Sequence, residues 1–237
     1  MNIYFLVEGN SSGKKIYPKW LWYLLPELKP VTYHDQVQKN NYYLISGKGY
    51  PAILHDGLDN AIDKIKETNN YDYLVLCMDA DEETVNERES YIENLIQRKN
   101  TDLGDTKIKI IIQNRCIETW LLGNRKIFDS RQPLESPLSD YVNYYDVSHY
   151  DPEKMGKYNM RNHADFHFKY LQKIFEARNI SYTKKFPGDA MKRYYLEQLQ
   201  KRVQDDSTHL ETFQNFLSFC EIIKNSMVTN SEAQEQR

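Results

Sequence analysis

The sequence predicts an α/β protein: a mostly parallel, Rossmann-like sheet of four strands flanked by helices, followed by a C-terminal helical region. Three observations predict it. The apolar runs at 2–7 and 73–78 are continuous rather than alternating, as in a strand buried on both faces by covering helices. Segments of helical periodicity separate the strands and are long enough to be parallel crossovers. Both runs end abruptly in carboxylates, at Glu8 and at Asp79 and Asp81. Open parallel sheets place their ligand sites beyond such strand ends.

Residues 2–7 form the first strand, and Glu8-Gly9-Asn10-Ser11-Ser12-Gly13 a loop whose glycines permit a sharp turn. Ser12 is a candidate cap for a helix from about Lys14 to Leu25, stopped by Pro26. A glycine-bearing loop that opens a helix can hold phosphate. This one lacks the full GxxxxGK[ST] pattern, so an ordinary strand-to-helix turn is the better reading. Residues 27–41 are polar and irregular. Residues 42–46 form the second strand, Gly47-Lys48-Gly49-Tyr50-Pro51 a tight turn, and about Ala52 to Glu67 a helix. Lys48 falls at the same strand-end edge as Glu8 and is a candidate phosphate contact; the plainer alternative is a solvated lysine.

The third strand covers 72–78, and a charged helix follows Asp81 to about Lys99. Glu82, Glu83, Glu87, Arg88, Glu89 and Glu93 make its solvated face, while Ile92, Leu95 and Ile96 are buried. Lys107–Gln113 is the fourth strand. The next segment, 114–122, passes from a strand end into a short apolar helix holding Glu118 among Ile117, Trp120, Leu121 and Leu122. An unpaired acid is costly to bury there. A metal ion or Arg115 would offset the cost, unless Glu118 points outward.

Beyond 125 the periodicity weakens. Residues 126–160 read as an irregular insert or linker. Helices are expected at about 161–178, 189–204 (with Asp189 as a cap) and 208–225, and residues 226–237 as a disordered tail. The division is thus an α/β domain over 1–125, the insert over 126–160, a helical region over 161–225 and the tail.

Hydrophobic residues make up 40% and charged residues 27%, the balance of a soluble globular protein. No uncharged apolar stretch is long enough to span a membrane. Glu8 interrupts the only early apolar run, so no signal peptide is expected. Cys77, Cys116 and Cys220 lie far apart in apolar contexts, which fits reduced thiols in the cytoplasm. A net charge of −3 excludes a globally basic nucleic-acid binder; such binding would need local patches and metal.

Glu8, Asp79, Asp81 and Glu118 are the candidate catalytic residues. Several acids at close range cannot all stay ionised without cations. One or two Mg²⁺ or Mn²⁺ ions held by Glu8, Asp79 and Asp81 would resolve this and serve phosphodiester chemistry; one of the acids could instead be a general base. Lys184, Lys185, Lys192 and Arg193, interleaved with Tyr182, Phe186, Tyr194 and Tyr195, suit a groove that tracks a nucleic-acid backbone and stacks bases. A solvated face over an aromatic core explains the same pattern. His163 and His167 have zinc-compatible spacing but no evident third ligand, and a helix face near a nucleic-acid path is the better reading.

Strand–Glu8-Gly9, then strand–Asp79-Ala80-Asp81, in an alternating α/β region resembles the Toprim domain over about residues 1–125. Asn114-Arg115-Cys116-Ile117-Glu118-Thr119-Trp120-Leu121-Leu122 is similar to the N-x-C-x-E-x-W-L-L stretch of stand-alone bacterial Toprim proteins of the overcoming-lysogenization-defect, RloB-like and abortive-infection type. The resemblance implies Mg²⁺- or Mn²⁺-dependent endonucleolytic cleavage of DNA or RNA. It gives Glu8 acid–base work or metal binding and puts Asp79 and Asp81 on the metal; a groove leading to these acids and lined by Lys48, Arg115 and the basic cluster would favour a nuclease over a small-molecule enzyme. It further implies a toxic effector of phage defence with an ATPase sensor as partner. Asn10-Ser11-Ser12-Gly13 stands where many relatives carry a second acid, so a second metal position would depend on Glu82, Glu83 or Glu118. Two other classes stay open: a non-catalytic partner-binding module of a defence ATPase, and another Mg²⁺-dependent phosphotransfer enzyme.

Overall fold

The computed structural model describes residues 1–9, 12–99, 102–127 and 134–235, with side chains described through 229. Five strands, β1 (Asn2–Val7), β2 (Lys29–Pro30), β3 (Asn41–Ser46), β4 (Tyr73–Asp79) and β5 (Lys107–Gln113), form one parallel sheet ordered β2-β3-β1-β4-β5. The helices are α1 (Ser12–Leu24), α2 (Leu58–Thr68), α3 (Val85–Lys99), α4 (Ile117–Leu121), α5 (Leu138–Tyr144), α6 (His163–Glu176), α7 (Arg193–Asp205) and α8 (Glu211–Glu235).

The expectation of four strands is corrected by β2. This strand has two residues, one of them proline, in a segment with no apolar pattern. Pairing survives because the ladder uses the N–H groups on either side of Pro30. Lys29 donates to the Asn40 carbonyl at 2.8 Å and Val31 to the Tyr42 carbonyl at 2.9 Å. Proline is tolerated on such an edge strand.

Contacts divide the chain into two compact units, one of residues 1–78, 89–111 and 215–237, the other of 79–88 and 112–214. In the first, every residue of β1 is buried, in register with β3 on one side and β4 on the other. Continuous burial is why its sequence is apolar without alternation. Tyr17 and Trp20 of α1 meet Phe216 of α8, with ring centroids 5.5 and 6.4 Å apart. Tyr73 meets Phe219 at 5.4 Å. The apolar face of α8 that the sequence shows is thus used. The helix continues to Glu235, through most of the stretch expected as a tail; residues 236 and 237 lie outside the described residues.

The second unit holds much of the segment expected as an insert; its residues 128–133 lie outside the described residues. From 134 onward it is built into a core. Tyr141 of α5 packs against Tyr158, Phe166 and Tyr170 at 5.2 to 5.6 Å. Arg202 of α7 is 1% exposed and donates to the carbonyls of Gly123, Val147 and Tyr150. One guanidinium thereby satisfies three loop carbonyls that no secondary structure pairs. Burial, with Arg125 nearby, pulls its pKa down to about 10. Asp189 does not cap α7. It sits in a short 3-10 turn (188–191) and pairs with Lys192, 2.6 Å away.

Thr212, in the first turn of α8, is the other fixed point. Its hydroxyl accepts from the Trp120 indole at 2.7 Å and from the Asn114 backbone at 3.2 Å, and donates to Glu153 at 2.5 Å. The Glu153 carboxylate also accepts the Thr212 backbone N–H. Burial outweighs these bonds and pushes the Glu153 pKa up to about 7. Among the described residues no helix is long and apolar enough to cross a membrane.

The unfolded chain releases the Glu153 proton near pH 4.5, the folded protein only near 7. Between these values the folded state binds more protons, so this group's contribution to stability falls as pH rises through the window. His167, whose burial lowers its pKa to about 3, acts in the opposite sense over an overlapping range. The difference between wild type and Glu153→Gln therefore isolates the carboxyl. Urea unfolding at pH 5 and pH 8 is expected to show the variant gaining roughly 2.5 kcal/mol on the wild type across that interval.

Candidate acidic site

The Asp79-Ala80-Asp81 segment is held by backbone pairing with the end of β5. Ala80 donates to the Gln113 carbonyl at 3.0 Å and Asp81 to the Arg115 carbonyl at 2.9 Å. Asp81 has φ +52°, a left-handed conformation that aspartate tolerates better than most side chains. The chain therefore turns at Asp81 instead of staying extended, and its two carboxylates are not set side by side along a strand. Glu83 closes the turn by donating to the Ala80 carbonyl at 3.0 Å. Thr84 and Glu87 then start α3 with reciprocal side-chain-to-backbone bonds, a capping box.

Arg88, expected on a solvated face, is instead 2% exposed. Its guanidinium lies 3.3 Å from Glu83 and 3.9 Å from Asp81, and donates to the Ala80 carbonyl at 3.4 Å. Apolar periodicity cannot register an arginine whose burial is justified by acids one turn upstream. Burial raises the Asp81 pKa, and Glu82 and Glu83 add to this; Arg88 and Lys184 oppose it, and the net direction is up. The Asp81 side chain remains 45% exposed and so open to a ligand.

Glu118 is 1% exposed, as its apolar neighbours suggest, but Arg115 is not its partner. The Arg115 guanidinium donates to the carbonyls of Asp81, at 3.2 Å, and Glu83, at 2.8 Å, so it braces the acidic turn. The Glu118 carboxylate accepts the Tyr182 hydroxyl at 2.8 Å. Tyr182 lies 64 positions on, beyond any local pattern. Two residues further, Lys184 supplies charge. Burial works against its ammonium, but Glu118, Cys116, Asp79 and Asp81 more than compensate and raise its pKa. Cys116, fully buried, is pushed well above the usual thiol range by burial, with Glu118 and Asp79 adding to it. Asp79, Asp81 and Glu118 thus all favour the charged form of Lys184.

Glu82 accepts the backbone N–H of His163 at 2.8 Å, lies 3.1 Å from its ring and pairs with Lys157. These partners outweigh its burial and hold its pKa down, at about 2. His167 is buried, with Nδ1 2.8 Å from the Thr119 hydroxyl. The two histidines therefore have structural partners on the 82 turn and α4.

Glu8 belongs to the first unit. Its carboxylate accepts the Tyr50 backbone N–H at 3.0 Å, in the turn that carries exposed Lys48. Gly9 and Gly49 flank these two positions at φ +73° and +89°, where a side chain would be strained. Asn10 and Ser11 lie outside the described residues. Of the remaining basic candidates, Lys192 pairs with Asp189 and Arg193 with Glu197 at 3.0 Å. Lys185 stands over the Phe186 ring, 5.8 Å from its centroid. Tyr182 and Tyr195 are core residues, whereas Phe186 and Tyr194 are exposed.

Among the described residues no three or more His, Cys, Asp or Glu side chains are grouped to hold a metal ion. This donor set does not form a protein-built cage. A Mg²⁺ site of the open kind, in which one or two carboxylates bind and water and substrate phosphate complete the shell, would call on fewer protein donors. No family model, curated protein or solved structure matches the chain. The chemistry of these residues is therefore the basis for a functional reading.

Tyr182→Phe removes the hydroxyl that satisfies a buried carboxylate. The expected cost is roughly 1–3 kcal/mol, measured as a lower urea midpoint with unchanged slope.

Proposed function

We propose that the chain is a Toprim-type, Mg²⁺- or Mn²⁺-dependent endonuclease acting on nucleic-acid phosphodiesters. The observation that carries the reading is that β4 ends at Asp79 and that the turn after it, braced by Arg115 and Arg88, leaves the Asp81 carboxylate 45% exposed. Beyond strand ends is where parallel sheets bind ligands. Asp79 and Asp81 are the residues that would hold the ion. When bound, a divalent ion would polarise the phosphodiester and activate water. The chain's own groups account for the rest. Arg88 and Arg115 hold the turn that presents Asp81. Glu118 and Tyr182 hold the segment that presents Lys184, whose ammonium would meet the anionic phosphate as a point charge. Glu8 has its role from the resemblance, in acid–base work or metal binding, and the setting in phage defence beside an ATPase sensor rests on the resemblance alone.

A non-catalytic, partner-binding module is the second reading. The Arg88–Asp81 pair favours it, because it neutralises one of the carboxylates without a metal.

The test is cleavage of plasmid, single-stranded DNA and total tRNA with Mg²⁺ or Mn²⁺. The nuclease reading expects metal-dependent cutting, lowered at least ~100-fold by Asp79→Ala or Asp81→Ala, the scale on which removing one stabilising group acts. Cutting that survives both substitutions overturns the site. Glu8→Ala, assayed alongside, decides whether Glu8 shares the work.

A further inference from the structure

The connection from α7 to α8 (206–210) carries a cluster that the acidic site does not use. Arg202 and Arg125 are like charges near enough to act on each other. Between them they hold four loop carbonyls: Arg202 those of Gly123, Val147 and Tyr150, and Arg125 that of Ser148 at 3.0 Å. Both guanidiniums also converge on one atom, Nδ1 of buried His209. Arg202 reaches it through Nε at 3.3 Å and Nη2 at 3.2 Å, Arg125 through Nη2 at 3.5 Å. A guanidinium has only donors, so Nδ1 is the acceptor and carries no proton. The proton of the neutral ring then sits on Nε2, 3.2 Å from the Asp206 carboxylate. The connection itself is well tied. Asp206 accepts the Thr208 backbone N–H at 3.1 Å and hydroxyl at 2.8 Å, and Gln214 donates to the carbonyls of Ser207 and His209 at 2.9 and 2.7 Å.

We propose that His209 is an acid-sensitive latch: a solvent proton added at Nδ1 takes the acceptor away from Arg202 and Arg125 and releases the loops at 123–125 and 147–150 that these arginines hold. This inference stands apart from the nuclease reading. Protonation would aim an N–H at two donors and set a third positive charge beside two guanidiniums. The charged groups that act on the ring are Arg202 and Arg125, which disfavour its charge, and Asp206 and Asp151, which favour it. Lys154 pairs with Asp151 at 3.9 Å, and the Tyr145 phenol lies in the field of Asp151 and Arg202. Burial first, then Arg202, outweigh the carboxylates and hold the pKa below the ordinary 6.5. The opened ring therefore takes up its proton near 6.5, and the latched ring only at lower pH. The stability that the latch contributes is whole above that ordinary value and is lost as pH falls below it.

The experiment is amide hydrogen exchange of the full chain at pH 7.5 and pH 5.5, corrected for the intrinsic pH dependence of exchange and read in peptides covering the two loops. His209→Asn is the comparison, because its amide oxygen can accept where Nδ1 does and it does not titrate. Between the two pH values the wild-type loops should lose up to about ten-fold more protection than those of His209→Asn, the ratio set by a ring that protonates near 6.5 once opened. Equal loss in the two proteins overturns the proposal. A second measurement needs the wild type alone, should the variant not fold. Imidazole ¹⁵N resonances should show Nδ1 of His209 unprotonated at pH 7.5 and gaining its proton together with the loss of loop protection. A ring that takes up its proton at Nδ1 while both loops stay protected overturns the proposal as well.

Discussion

A carboxylate buried at 1% exposure is the constraint on which the acidic unit depends. Glu118 sits on a helix of five residues whose other side chains are core. Leaving its charge unsatisfied there would cost several kcal/mol, on the order of what the whole domain has in reserve. The Tyr182 hydroxyl and the Lys184 ammonium offset that cost. Both come from a single turn, so satisfying Glu118 also fixes where that turn lies. Asp79 and Asp81 favour the charged form of the same lysine, which ties the structural requirement to the candidate chemistry.

The same economy governs the turn after β4. A strand that stops at two aspartates needs its backbone groups satisfied away from a regular ladder. Continued pairing with 113–115 satisfies the N–H groups of Ala80 and Asp81, and Arg115 and Arg88 satisfy carbonyls at 80, 81 and 83. Arg115 is held by main-chain carbonyls, and Arg88 by a main-chain carbonyl as well as by charge. The Arg115 contacts to the turn therefore do not involve the Asp81 carboxylate.

Much of the fold is legible in the sequence, because continuous apolar runs and helical stripes reflect burial directly. The strands expected at 2–7, 42–46, 72–78 and 107–113 are observed within one residue of those bounds. β2 was not legible, since two residues paired through flanking N–H groups leave no side-chain pattern. Within the site, the buried acid at 118 announced itself by its neighbours, but its partner did not. Hydrogen-bond partners 64 residues apart carry no periodic signal. Arg88 was misread for a related reason: hydrophobic patterning assigns every charge to water, and a buried ion pair looks identical to a solvated one. A signal was available in Thr84 and Glu87, whose capping-box spacing starts α3 at Val85 and puts Arg88 in its first turns. The basic cluster divided once its carboxylates were located. Asp189 and Glu197 pair with Lys192 and Arg193.

The central claim is that Asp79 and Asp81 hold a divalent ion. The most direct measurement is a crystal of the wild-type chain grown with MnCl₂, with diffraction data collected at the manganese absorption edge. The account predicts an anomalous peak about 2 Å from a carboxylate oxygen of Asp79 or Asp81. Saturating manganese with no peak there, or a peak only at other side chains, would contradict it.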